Sequence, residues 1–286
     1  MKKILAILYI LCFTGLFSIF LFVKDIDKNL NINGIKFVVN MLDKGGWVYK
    51  QHPDEVVSKF YKLMTDEYYP DIVIDIGANY GFISLITAQY LPCAEFIAVE
   101  PNLKVTPYLK RNFEMNNING VIWECVAGDK RTTGDFYINP RSSQDSRVTG
   151  KKGWKKQPVG KVLIDSLLAG DYEKTVFIKS DTQGYEEYVF LGGLDFLTTN
   201  NKWIMRMEFC PALLEFNGTD ASKFLSFLVN NFDVTDIGQV PYNTKSISSL
   251  FENKLTESDV DDYIQYVNKL KRNNVGWTDI LIKPKT

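Results

Sequence analysis

The sequence predicts an α/β fold built on a largely parallel sheet, and two observations carry that expectation. From Asp71 onward, short apolar runs alternate with segments of helical periodicity. Acidic residues also recur at or just past the ends of those runs: Asp75, Glu100, Asp129, Asp181 and Glu208. In open α/β sheets that edge, beyond the carboxyl ends of the strands, is where ligands bind.

"DIVIDIG" is a short apolar run of the kind that fills a buried parallel strand. "GFISLITAQYL" reads as the helix after it and "AEFIAVEPN" as a second strand ending at Glu100. "KVTPYLKRNFEMNNI" is a helix with Leu109 and Phe113 inward, and "VIWECVAGD" is a third strand. A looser stretch follows, with a hairpin-like "GDFYINP" and a polar loop, "RSSQDSRVTGKKGWKK". "TVFIKSDTQGYEEYVFLGG" is strand, turn, helix and glycine stop, and "KWIMRMEFCP" is a further strand. "ASKFLSFLVNNF" is a helix, while "DVTDIG" and the terminal "TDILIKP" are strands.

Ahead of this lie two other regions. Residues 4–23 carry no charge and have the length of a bilayer-crossing helix, flanked by Lys2 and Lys3 and by Lys24, Asp25, Asp27 and Lys28. Bulky residues stand where a signal-peptide cut would need small ones, so an uncleaved single-pass membrane anchor is expected. A cleaved signal and a buried helix are the alternatives, and the flanking charges leave the side of the membrane open. Residues 24–69 read as a stem leading to a helical approach with Val56, Phe60 and Leu63 on one face. The expected organisation is therefore anchor 1–23, stem and helix 24–69, and a catalytic domain 70–286.

Composition excludes several classes. The 33 basic and 34 acidic residues nearly cancel, so no global field points to nucleic acid. Cys12, Cys93, Cys125 and Cys210 form no C-x-x-C pair and read as buried free thiols. The single histidine, His52, rules out a histidine-rich metal site and is a minor candidate for a catalytic base.

The turn after the first strand, "DIGANYGF", departs from a dinucleotide fingerprint, because Asn79 stands midway between Gly77 and Gly81. A carboxylate at Asp75 would repel a pyrophosphate; it suits a cationic amino group, or it fixes the turn. Glu100 is placed to take ribose hydroxyls and Asp129 to take the exocyclic amine of adenine. Amino acid, ribose and adenine in that order describe S-adenosylmethionine (SAM).

The segments "DIGANYGFISL", "AVEPN", "VAGD", "IKSDTQGYEEYVFLGG" and "MRMEF" resemble the FkbM family of class I SAM-dependent methyltransferases. The resemblance runs from Asp71 to the C-terminus. It implies a Rossmann-like, mostly parallel seven-stranded sheet with helices on both faces. It further implies a methionine-side loop of Asp75, Gly77, Asn79 and Gly81, a ribose contact at Glu100 and Asn102, and an adenine contact at Asp129. Asp181 falls where the family faces the methyl group. Ser180 and Cys210 depart from the family pattern. The resemblance implies O-methylation of a hydroxyl on a sugar, glycan or glycolipid, with Asp181 as base, Glu208 as the second candidate and Lys179 orienting the base or substrate. No metal ligand set is assigned; Asp181 and Glu208 holding magnesium is the alternative. "KKGWKK" reads as a solvated basic loop with a tucked Trp154, the alternative being contact with an acidic glycan, a phosphate-bearing lipid or the membrane surface. "RSSQDSR" is a loop that could line an acceptor pocket, and "NGT" at 217–219 is a glycosylation pattern. The competing readings are a nicotinamide oxidoreductase, a glycosyltransferase-like glycan enzyme and a non-catalytic binding domain.

Overall fold

The computed structural model describes residues 26–32, 34–46, 55–238, 244–270 and 275–285. The apolar segment 4–23, Cys12 and His52 lie outside these residues. Among the described residues, no helix is long and apolar enough to cross a membrane.

The described chain begins with an antiparallel hairpin, β1 (Asp27–Ile32) and β2 (Ile35–Asn40), and helix α1 (Glu55–Tyr68). Alternation then sets in: β3 (Ile72–Ile76), α2 (Phe82–Tyr90), β4 (Glu95–Val99), α3 (Thr106–Met115) and β5 (Gly120–Trp123). A small sheet follows, of β6 (Val126–Ala127), β7 (Thr133–Ile138) and β8 (Lys155–Val162), then a helical turn, α4 (Ile164–Leu167). The second half runs β9 (Val176–Ser180), α5 (Glu186–Leu191), α6 (Leu194–Thr199), β10 (Trp203–Phe209), α7 (Pro211–Phe216) and α8 (Ala221–Asn231). It ends with β11 (Phe232–Asp236), α9 (Val260–Lys269) and β12 (Thr278–Pro284).

Seven strands form the main sheet in the order β11-β12-β10-β9-β3-β4-β5. All neighbours are parallel except β12, which inserts antiparallel between β10 and β11. Strand order reverses at β3, since β4 lies on one side and β9 on the other. That switch opens a crevice directly above the glycine turn.

Side chains alternate across the sheet, so the central strands feed two cores. Ile72, Ile74, Ile76, Ile178 and Met205 enter one, and Val73, Phe177, Ile204 and Leu281 enter the other. Helices cover both faces, which is why these strands read as continuous apolar runs and not as alternating ones.

The first region is where structure and sequence reading differ most. Residues 27–40 form a hairpin packed into the second core through Phe37 and Val39, both fully buried. Asn112 of α3 secures it: its Oδ1 accepts from Val38 N (2.7 Å), and its Nδ2 donates to Val38 O (3.1 Å) and Tyr80 O (2.9 Å). A second difference concerns "KKGWKK", read as a loop, whose Lys155 and Lys156 begin β8. Among the cysteines, Cys210 is buried and Cys125 half-buried, but Cys93 is exposed; all three are free.

Replacing Asn112 with alanine strands one buried donor and two buried acceptors, each costing about 1–3 kcal/mol if unmet. Water and backbone shifts recover part of this, so Asn112→Ala is expected to lower stability by about 2–4 kcal/mol. Urea denaturation of the wild type and variant checks the value; a change under about 1 kcal/mol would show that the hairpin is not held this way.

Candidate active site

A cavity of about 610 Å³ opens beyond the carboxyl ends of β3, β4, β9 and β10. Its floor carries Gly77, Ala78 and Asn79 from the turn after β3, and Glu100 from the end of β4. Cys125 and Val126 border it on one side; Asp181, Gln183 and Glu208 border it on the other.

The turn takes the shape it does because three of its residues are left-handed. Gly77, Asn79 and Gly81 have φ of 73°, 52° and 85°, a region glycine enters freely and asparagine better than most residues. At Gly77 no side chain fits, because a Cβ would stand 1.9 Å from the carbonyl oxygen of Asp181. The turns after β3 and β9 are thus in backbone contact. Asn79 N donates to Glu100 Oε2 (2.8 Å), and Ser143 Oγ donates to Asn79 Oδ1 (3.2 Å).

Asp75 does not line the cavity. It is 1 % exposed and lies beneath the turn. Its Oδ2 accepts from the amide (3.2 Å) and hydroxyl (2.7 Å) of Ser84 in α2, and its Oδ1 pairs with Lys179 Nζ at 3.3 Å. Of the two roles its position allowed, the geometry is that of fixing the turn.

Lys179 stands opposite Asp75 in the β3–β9 register. Its ammonium also reaches Gly77 O (3.1 Å) and Asp181 Oδ2 (3.7 Å). Next to it in register, on β10, is Arg206, which donates to Tyr61 Oη (2.9 Å) and to Asp279 Oδ2 (2.6 Å). Asp75, Lys179, Arg206 and Asp279 therefore form one charged row across four strands, with an acid at each end. Lys179 is tied into the floor of the cavity.

Glu100 is buried and accepts from the amides of Asn79 and Asn102, each at 2.8 Å. Burial pushes its carboxyl up to about 7, against the pull of those two amides. Asn102 is buried behind it and holds the following turn, accepting from Lys104 N at 3.1 Å. Asp129 sits apart from the cavity wall, with Lys130 3.7 Å away, and Cys125 and Val126 occupy the wall on that side.

Asp181 and Glu208 come together across β9 and β10. Gln183, itself left-handed at φ 60°, donates from Nε2 to Asp181 Oδ1 (3.1 Å) and Glu208 Oε2 (3.2 Å). The Asp181 side chain is 43 % exposed, whereas Glu208 is buried. Burial, then the charges of Asp181, Glu186 and Asp279, push the Glu208 carboxyl well above its ordinary range.

Several residues of the site carry no sequence signal of their own. Gln183 and Gly184 lie in the "DTQGYE" turn, whose family pattern marks it without giving a role. Glu186 holds that turn from below, accepting from Thr182 N (2.8 Å) and Thr182 Oγ1 (2.9 Å). Asn217, the first residue of the "NGT" pattern, hydrogen-bonds Thr149 and donates to Gln183 O (3.2 Å), so its amide is committed to packing. Arg147 and Ser143, of the "RSSQDSR" stretch, are on the cavity wall, as is Trp154 of "KKGWKK".

The Glu100 shift has a definite sign. The folded chain holds this proton up to about pH 7, whereas an unfolded glutamate releases it near 4.5. Stability linked to this group is therefore full below about pH 4.5 and lost as pH rises to about 7. Relative to Glu100→Gln, the wild type should lose on the order of 2–3 kcal/mol across that window. Denaturation curves of both proteins at pH 4.5 and pH 8 check this, and a constant gap between them would refute it.

A family model described as "Methyltransferase FkbM domain" matches residues 75–233, which include every residue placed above from Asp75 to Glu208. A calmodulin-lysine N-methyltransferase from Arabidopsis thaliana is 30% identical over 77 residues, covering 27% of this chain and 25% of that protein. Among solved structures, an FkbM methyltransferase from Methylobacillus flagellatus KT aligns at 13% identity with a TM-score of 0.40, over 58% of this chain and 39% of that one. An O-methyltransferase from Bacillus cereus in complex with SAH, the demethylated form of SAM, aligns at 11% identity with a TM-score of 0.43, over 81% and 82% of the two chains. The motif residues and the matched span agree, and the chain belongs to the FkbM methyltransferase family.

Proposed function

We propose that the chain is a SAM-dependent O-methyltransferase acting on a hydroxyl of a sugar, glycan or glycolipid, and that residues 4–23 anchor it in a membrane as a single-pass segment. The observation that carries the enzymatic reading is one cavity with a left-handed glycine turn, a buried carboxylate at Glu100, and the Asp181–Glu208 pair on its rim. Its volume falls within the roughly 300–1,000 Å³ of small-molecule sites.

The residues fit the cofactor. Gly77, Asn79 and Gly81 would hold the amino-acid end, with Asp75 acting from beneath by fixing the turn. Glu100 is an acceptor-only group once ionised and suits two ribose hydroxyls, with Asn102 setting its direction. Cys125, Val126 and Ala127, which precede Asp129 in the chain, line the cavity and would border the space for the base. When bound, SAM supplies an electrophilic methyl on a sulfonium.

The chain's own residues supply alignment and proton removal. Asp181 is the more exposed of the two rim carboxylates and is assigned as base, taking the acceptor's hydroxyl proton as the oxygen gains its methyl. Glu208, pushed toward its neutral form, stays hydrogen-bonded to Gln183 and shapes the acceptor side. Lys179 is a positioning residue, since it holds the floor turn and Asp181 together.

Calorimetric titration of the full-length chain with SAM and with NAD is the first test. SAM is expected to bind saturably and NAD not, with Glu100→Ala and Asp75→Ala each weakening SAM. Asp181→Asn should lower kcat for methyl transfer by about 10²–10⁴-fold and leave SAM affinity within a few-fold. Acceptors to be offered are hydroxyl-bearing glycans and, because of the short match to the plant enzyme, a calmodulin lysine. A folded chain that ignores SAM would overturn the proposal and bring forward the binding-domain reading; methyl transfer to lysine alone would replace the hydroxyl acceptor.

A further inference from the structure

Arg147 is a cation on the cavity wall that, among the described residues, makes no ion pair. Lys179 and Arg206 lie in the floor and are paired with Asp75 and Asp279. Lys151 is exposed at the rim. Arg147, by contrast, is only 5 % exposed, and among the described residues no carboxylate stands within ion-pair distance of it. Its Nε is buried without a hydrogen-bond partner.

The group is nonetheless held in a built position. Its backbone is pinned to β7, with Tyr137 N donating to Arg147 O (2.8 Å) and Arg147 N to Tyr137 O (3.1 Å). Its guanidinium carbon lies 5.1 Å from the ring centre of Trp154 and 5.3 Å from that of Phe216. Two aromatic faces offset part of the cost of burying a cation. They leave the Nε–H without an acceptor, and a buried cation that no carboxylate meets at ion-pair distance is costly.

Its place in the cavity separates it from the cofactor end. Phe216 closes α7, the helix after β10, and Glu208 and Cys210 at the end of β10 are close enough to act on the Arg147 charge, as is Asp145 of the same loop. Glu100 and the glycine turn belong to β3 and β4, across the switch in strand order. Taking the methyltransferase reading as its basis, we propose that Arg147 is an acceptor-specificity residue, and that the acceptor carries an oxyanion, a carboxylate or a phosphate, which docks on its guanidinium. A planar fork held between two rings matches either anion by two parallel hydrogen bonds, which a lysine at the same place would not reproduce.

The test is calorimetry of the full-length chain saturated with SAH, titrated with sodium glucuronate, glucose 6-phosphate and glucose. These share a hexose and differ in charge. At least one of the two anions is expected to bind ten-fold or more tightly than glucose, and the stronger one names the oxyanion. Arg147→Gln should abolish the preference, Arg147→Lys should retain part of it, and SAH affinity should change less than three-fold in both. The lysine variant keeps the charge and guards against a glutamine variant that fails to fold. Equal binding of all three sugars by the wild type, or a preference that survives Arg147→Gln, overturns the assignment. A loss of SAH affinity in Arg147→Gln also overturns it, by moving Arg147 to the cofactor end. The same titrations run without SAH separate the two proposals: a wild type that takes the anion but never SAH defeats the methyltransferase reading and leaves the anion site standing.

Discussion

The pairing of Asp75 with Lys179 across β3 and β9 is the constraint on which the site depends. Neither charge tolerates that depth alone, and removing one partner of such a buried pair typically costs several kcal/mol because it abandons the other. The pair does more than neutralise itself. Asp75 also grips Ser84 at the start of α2, and Lys179 grips the Gly77 carbonyl. Strand, turn, helix and the next strand over are thereby fixed to one another around a single point. The second pair, Arg206 with Asp279, extends the row to β10 and β12. The carboxyl ends of β3, β9 and β10 and the amino end of the antiparallel β12 consequently share one electrostatic anchor beneath the cavity.

Above that anchor the polar groups are spaced by backbone geometry more than by side-chain contacts. The close approach of Gly77 to the Asp181 carbonyl sets the turn after β3 against the turn after β9. Asn79 then points one way to Glu100 and the other to Ser143. Asp43, following the N-terminal hairpin, accepts from Tyr80 Oη (2.9 Å) and Ser143 N (2.8 Å) and so joins the glycine turn to the loop that carries Arg147. The glycine turn and the loop that carries Arg147 are thus parts of one hydrogen-bonded frame.

The alternation of β3, α2, β4, α3, β9, α5 and β10 was legible because these strands are buried and the helices show their own period; β5 and β6 read as one strand, and β8, α7 and α9 go unread. The acids at the strand ends were legible as a set for the same reason: carboxylates are out of place in such runs. Their individual directions were not. Asp75 and Glu100 both close apolar strands, yet one turns beneath the sheet edge and the other faces the cavity. That difference arises from Ser84 and Lys179, which lie far apart in sequence. Arg147 and Gln183 were hidden in polar loops, where a residue's partners are set by tertiary packing and leave no periodic trace. The hairpin at 27–40 was missed because its burial depends on Asn112, more than 70 residues away. Short strands with mixed polarity do not announce themselves as core.

That hairpin, together with the inserted β12, separates the unit of homology from the unit of folding. The family match begins at Asp75, inside β3, and ends at Asp233, inside β11. A fragment cut at those points would lose β12, the strand that lies between β10 and β11, and leave β11 with no neighbour to pair. It would also lose Phe37, Val39 and Tyr61, laying bare the Phe82 and Phe177 side chains they cover. The matched span is therefore the middle of the fold, which carries most of the cavity wall. The two ends close its edge and roof its second core, and a border drawn at the limits of the match would cut through the hydrogen-bonded sheet.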